Sequence, residues 1–130
     1  MKTRLKLIEG VAWMAESDSG HALVVDGSVG IGGRNLGFRP MELVLVGLGS
    51  CSAMDVISIL RKQRQAVRDV EVELSGERAD AVPAVFTDIN VHYKVEGEGL
   101  SEKAVQRAVD LSMEKYCSVS HMLRASVRIT

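Results

Sequence analysis

The sequence predicts an α+β protein in which short strands, a long helix, two further strands, a second helix and a closing strand follow one another. Three observations carry this. Turn residues cut the first third into brief extended runs, the stretch opening at Pro40 is apolar on most faces, and two later segments alternate apolar with charged residues. Helices that do not alternate one by one with strands exclude a doubly wound α/β sheet. At 130 residues the chain has the length of one domain, and residues 1–130 are expected to form a single one.

Thr3 to Ile8 alternates loosely, Val11 to Ala15 follows Gly10, and His21 to Val25 lies between Gly20 and Asp26-Gly27, so the opening third reads as a β-meander. Residues 27 to 39 hold five glycines (Gly27, Gly30, Gly32, Gly33, Gly37), which predicts a mobile loop with room for a short edge strand. Gly30-Ile31-Gly32-Gly33 lacks both the Gly-Lys-Ser/Thr ending and the GxGxxG register of phosphate-binding loops, and nucleotide binding is not favoured.

Pro40 suits the first turn of a helix, and Met41, Val44, Leu45, Leu48, Val56, Ile57, Ile59 and Leu60 supply apolar faces to about Gln63. Such a helix is expected to be buried nearly all round, at the centre of the core or under a partner. Gly47 and Gly49 each weaken its interior by about 1 kcal/mol relative to alanine. Gly47 and Cys51 share a face, where small side chains permit close approach by another backbone.

Val67 to Leu74 and Phe86 to Val95 alternate as two half-buried strands and are expected to pair as a hairpin through residues 79–84. Gly97-Glu98-Gly99 breaks the second strand. Ser101 caps a helix with Glu102 in its first turn and Ala104, Val105, Ala108, Leu111, Ser112 and Tyr116 as its buried stripe. Cys117 falls at or just beyond the end of that helix, and Ala125 to Ile129 forms the last strand.

Nearly half the residues are apolar but only 4% are aromatic, so aliphatic side chains and methionine build the core. A formal net charge of -1 gives no electrostatic footprint for nucleic acid or a membrane surface, and neither is expected as a partner. Residues 1–9 lack the apolar core of a signal peptide, and no apolar run approaches the roughly 20 residues of a spanning helix. The expected location is the cytoplasm, where a standing structural disulfide is disfavoured. The two cysteines, Cys51 and Cys117, are then left to catalysis, transient oxidation or packing as small apolar residues.

The segment Arg39-Pro40-Met41-Glu42-Leu43 through Gly49-Ser50-Cys51-Ser52-Ala53-Met54-Asp55, followed by Tyr116-Cys117-Ser118-Val119-Ser120, resembles the OsmC/Ohr family of osmotically inducible and organic hydroperoxide resistance proteins. The likeness covers almost the whole chain, in the Pro-x-Glu-Leu helix opening, a cysteine within that helix and a second at a helix end. The branch it resembles most reads Cys-Ser-Ala-Met-Asp-Val-Ile in the helix and is distinct from the well-defined hydroperoxide reductases. The resemblance implies an intertwined homodimer whose long central helices are enclosed by antiparallel sheets. It also implies a thiol peroxidase acting on organic hydroperoxides, with Cys51 as the peroxidatic thiol, Cys117 as the resolving one and a lipoyl-type dithiol as reductant. No other cofactor is implied.

A peroxidatic cysteine must be a thiolate, and an ordinary thiol of pKa ~8.5 is only a few per cent ionised at neutral pH. The family uses an arginine held by a glutamate to stabilise the anion. Glu42 matches the helix-opening glutamate, although an acidic residue in a first helical turn also favours the macrodipole by ~0.3–1 kcal/mol without any catalytic role. Nine residues at about 100° each place Glu42 and Cys51 on opposite sides of a straight helix, roughly 13 Å apart along it, so the thiol Glu42 would serve is a partner's. Arg39, beside Glu42, is the favoured arginine, with Arg34 in reserve. Asp55 lies one turn after Cys51 on the same face, where a carboxylate opposes thiolate formation unless a cation offsets it.

His121 follows Cys117 by four residues, but His21, His92 and Asp55 are scattered, and a metal site is not favoured. Met41, Met54, Met113 and Met122 could line a pocket for an organic peroxide or simply fill the core. Two other readings stand beside the peroxidase: a redox-sensing or apolar-ligand-binding dimer on the same fold, and a protein whose cysteines only pack.

Overall fold

A computed structural model describes all residues, Met1–Thr130. The chain divides into two compact units, Met1–Val44 and Leu45–Thr130. The architecture is α+β, as the sequence predicts, with two three-stranded sheets and a long helix.

The first unit is the expected meander. Strands β1 (Thr3–Glu9), β2 (Ala12–Ser17) and β3 (Ala22–Val25) pair antiparallel in that order, with Leu5 opposite Ala15 and Trp13 opposite Val25. Leu5, Leu7, Ile8 and Leu23 are about half exposed on this sheet.

The glycine-rich stretch after β3 is built around Asp26, with a short 3-10 turn at Val29–Ile31 and, where room for a short edge strand was expected, Phe38 bridging back to Val25. Asp26 is 2% exposed, and its carboxylate accepts the backbone N–H groups of Gly27 (2.7 Å), Arg34 (3.0 Å) and Leu36 (3.0 Å). These donors, the Leu36 N–H foremost, hold the carboxyl below its ordinary value against the opposing effect of burial. The glycines serve crowding more than freedom. A Cβ on Gly33 would stand 2.1 Å from the Gly27 carbonyl oxygen, and one on Gly37 2.1 Å from that of Val24. Amide groups that a phosphate loop would turn toward a ligand are here taken by the chain's own carboxylate.

Helix α1 (Pro40–Lys62) begins where the sequence places it. Its 23 residues contain an 18-residue window of mean hydropathy 2.0, long and apolar enough by length and composition to cross a membrane. This corrects the expectation from uninterrupted apolar runs, because Glu42, the glycines, the serines and Asp55 divide the run without lowering its mean far. The helix is not buried all round within one chain. Leu48, Gly49, Ser52, Val56 and Leu60 form one buried stripe at helical spacing, while Val46 and Met54 are 46% and 69% exposed. Gly49, not Gly47, is the close-approach residue: a Cβ there would meet Leu74 Cδ1 at 2.5 Å, whereas Gly47 faces open space.

In the second unit β4 (Ala66–Arg78) and β5 (Phe86–Glu98) form the predicted hairpin and run longer than their alternating cores. Ile89, Val91, Tyr93 and Val95 point inward from β5. Helix α2 (Glu102–Leu111) starts at Ser101, whose hydroxyl accepts the Ala104 N–H at 3.2 Å. Ala108 of α2 packs with Val56 and Leu60 of α1, flanked by Val67, Tyr93, Val95, Val105 and Val109. The chain then widens into one π-helical turn, Ser112–Tyr116, and continues as α3 (Ser118–Leu123), a helix the sequence reading did not anticipate. Tyr116, assigned above to the buried stripe, is 51% exposed because that wider turn rotates it outward. The last strand, β6 (Arg128–Ile129), is shorter than expected and pairs parallel with β5.

The Asp26 carboxylate gives a pH-dependent test. Its folded pKa is depressed, so its stabilisation is present above the unfolded carboxylate value of about 4 and lost as the pH falls through the folded one. Asp26→Asn offers one acceptor where three donors converge and is expected to lower the denaturant midpoint at pH 7. The gap from the natural protein should narrow in unfolding curves recorded at pH 3; an equal gap at both pH values would rule out the carboxylate as the tie.

Candidate active site

The two cysteines meet in the second unit. Cys51 sits midway along α1, partly exposed, beside the buried stripe; Cys117 follows the π-turn and is 2% exposed. Both are free thiols. Burial foremost pushes the Cys117 thiol up, and the neighbouring Cys51 side chain adds to that; the Ser120 backbone N–H, 3.4 Å from Cys117 Sγ, opposes it. Cys117 is the N-cap of α3, and its sulfur takes the place of the usual capping oxygen. Ser120 holds the turn from inside, its hydroxyl donating to the carbonyls of Cys117 (2.9 Å) and Met113 (3.0 Å).

Beside the thiols lies a chain of hydroxyls that the sequence reading missed. Tyr93 OH bonds Ser52 Oγ, Ser52 Oγ lies 2.8 Å from Ser112 Oγ, and Ser112 Oγ donates to Asp55 Oδ2 at 3.1 Å. A carboxylate only accepts, so the chain runs in one direction: Tyr93 donates to Ser52, Ser52 to Ser112 and Ser112 to Asp55. Burial, partly offset by the Ser52 bond, raises the Tyr93 phenol and keeps it protonated. Asp55 is thus held by a serine hydroxyl, and none of the chain's ion pairs includes it. The only signal in the sequence was the placement of Ser52 and Ser112 within apolar helical stripes, where a buried hydroxyl requires a partner.

In the first unit, Arg39 and Glu42 come together, but not as an ion pair. Glu42 Oε2 accepts the Arg39 backbone N–H at 2.8 Å, a capping bond at the start of α1. The Arg39 guanidinium donates instead to the Gly37 carbonyl (3.0 Å) and Asn35 Oδ1 (2.8 Å), and Arg34 pairs with Glu9.

No group of three or more His, Cys, Asp or Glu side chains is arranged to hold a metal. His121 is exposed and meets Cys117 through its backbone N–H, which donates to the Cys117 carbonyl at 3.1 Å. Of the methionines proposed for a pocket, Met113 lines a cavity of about 390 Å³ with Val109, Ser120, Arg124 and Ile129, whereas Met54 and Met122 are largely exposed. A second cavity of about 380 Å³ opens beside Asp55, between Ile59, Lys62, Leu111 and Tyr116.

The family model for OsmC-like proteins matches residues 32–130, which include both cysteines and the whole second unit. The chain belongs to the OsmC-like family. Protein YhfA of Escherichia coli is 50% identical over 130 residues, covering 100% of this chain and 94% of that protein. A hypothetical protein from Aquifex aeolicus, known from a crystal structure, is 36% identical with a TM-score of 0.87, covering 99% of this chain and 90% of that one. An organic hydroperoxide resistance protein from Legionella pneumophila shares the fold at 19% identity and a TM-score of 0.73, over 100% of this OsmC-like chain and 94% of its own.

The burial of Cys117 sets its reactivity. In a Cys51→Ser protein the remaining thiol is expected to react with iodoacetamide at pH 8 at least about tenfold more slowly when folded than in denaturant. Equal rates, followed by mass spectrometry, would place Cys117 in an open, ionisable setting.

Proposed function

We propose that this protein is a cytoplasmic, cysteine-based thiol peroxidase acting on organic hydroperoxides as a homodimer. The observation that carries the reading is the convergence of the chain's two thiols, one accessible and one buried, from elements far apart in sequence. Membership of a family that includes organic hydroperoxide resistance proteins supports it. The half-exposed apolar residues of α1 and of the β1–β3 sheet support the homodimer, since surfaces of this kind mark association.

In the first step the Cys51 thiolate attacks one peroxide oxygen. An S–O bond forms, the O–O bond breaks, the sulfur loses two electrons, and the departing alkoxide is protonated to the alcohol. Cys117, as thiolate, then displaces hydroxide from the Cys51 sulfenic acid. The S–S bond forms, the S–O bond breaks, and the Cys117 proton leaves in water. A dithiol of the lipoyl type restores both thiols by exchange. Burial suits Cys117 to the second role, because a thiol raised in pKa is a poor first nucleophile. Glu42 and Arg39 are assigned the support of the thiolate, on the partner's Cys51 in the dimer.

One observation favours the second reading, a redox-sensing or ligand-binding dimer: Asp55, one turn from Cys51, takes part in none of the chain's ion pairs.

Titration of thiols before and after one equivalent of tert-butyl hydroperoxide separates the two. Rapid loss of both thiols, abolished by Cys51→Ser, is the expected result. Survival of both thiols would reject the peroxidase and favour sensing or binding.

A further inference from the structure

Ser112 is attached to both halves of the thiol pair. Its hydroxyl is bonded to α1 on the turn that follows Cys51, through Ser52 Oγ (2.8 Å) and Asp55 Oδ2 (3.1 Å), with the Ser52 carbonyl 3.3 Å away. Its carbonyl accepts the Cys117 N–H at 2.8 Å, the bond that closes the π-turn. One fully buried residue therefore spans from the helix that carries Cys51 to the amide of Cys117. The geometry points to Ser112 as a positioning residue that sets the separation and orientation of the two sulfurs.

Three features support the assignment. The π-turn is a local departure from α-helical bonding, a form that recurs at functional sites and is stable only where the surroundings fix it. The Ser112 hydroxyl is held from both sides, accepting from Ser52 and donating to Asp55, so it resists rotation. Ser120 pins the same turn from the other end, through Met113 and Cys117, so an adjustment at residue 112 is passed to the Cys117 backbone rather than absorbed.

Disulfide formation between two thiols depends steeply on how well they are held. Effective concentrations of well-oriented groups exceed those of loosely held ones by orders of magnitude, and a displacement of about 1 Å can cost ~100-fold. Ser112→Ala keeps the backbone bond to Cys117 and removes only the tether to α1, so it isolates the positioning effect.

The inference rests on the reading of Cys51 and Cys117 as a disulfide-forming pair, and its test avoids peroxide. Reduced protein is equilibrated in glutathione buffers of graded ratio; oxidised glutathione takes two electrons and two protons from the thiols and leaves as two reduced molecules. The dithiol-to-disulfide ratio then gives the effective concentration. Ser112→Ala is expected to lower it about tenfold or more, equivalent to a rise of ~30 mV in potential. Tyr93→Phe, which also removes a buried hydroxyl but leaves the Ser112 tether, should stay within about twofold of the natural protein.

Should Ser112→Ala fail to fold, Asp55 decides. Asp55→Asn and Asp55→Ala remove the same charge, but only asparagine can still accept from Ser112; the alanine variant leaves Ser112 with Ser52 alone and should lose effective concentration, though less than Ser112→Ala, while the asparagine variant should not. An unchanged value in Ser112→Ala, an equal loss in Tyr93→Phe, or no disulfide in the natural protein would each overturn the inference. A disulfide that forms in glutathione in a protein inert to hydroperoxides would overturn the peroxidase reading alone.

Discussion

The second unit depends on one hydroxyl in an apolar stripe. Ser52 stands where the pattern of Leu48, Val56 and Leu60 would place another aliphatic residue, and it is fully buried. A hydroxyl left without a partner there would cost about 1–3 kcal/mol. The fold meets that requirement by bringing two more hydroxyls to it, Tyr93 from β5 and Ser112 from the end of α2, and by ending the chain on the Asp55 carboxylate. No buried side-chain nitrogen or oxygen is left unbonded. Hydrogen bonds are directional where packing of methyl groups is not, so this network fixes how sheet, helix and π-turn sit within the unit more tightly than the Val56, Leu60 and Ala108 cluster alone.

That fixing matters because the two sulfurs belong to different structural classes. Cys51 projects from a long regular helix and has access to solvent, while Cys117 serves as a helix cap and is closed off. A pair of this kind separates tasks. The exposed member is open to solvent, and the enclosed one has Cys51 as its neighbour. The carboxylate beside Cys51 is drawn into the hydroxyl chain and serves as an acceptor for Ser112.

Much of the fold was legible from periodicity. The β4–β5 hairpin followed from strict alternation around Val72 and Val91, and α1 from its proline start and apolar spacing. What escaped was set by tertiary contacts rather than local pattern. Helix α3 has only six residues, too short to announce itself by periodicity. The parallel pairing of β6 depends on where the preceding turns deliver the chain. The glycine stretch is read as a loop because glycine is permissive, but its anchoring to a single upstream carboxylate was not visible in the pattern. At the site, the cysteines were visible as residue types, but the partners of Asp55 were not: serines in an apolar helical stripe signal that a hydroxyl must be satisfied, not by whom.

The bond from the Cys117 amide to the Ser112 carbonyl spans five residues where a regular helix would span four. In a regular helix that bond would belong to Tyr116, and every later side chain would be turned by roughly 100°. The widened turn thus acts as a reading frame for the backbone: it decides which of two consecutive residues, a tyrosine or a cysteine, is delivered to the interior. A regular α-helical path through the same residues would leave the composition of the site intact and still deliver the wrong one.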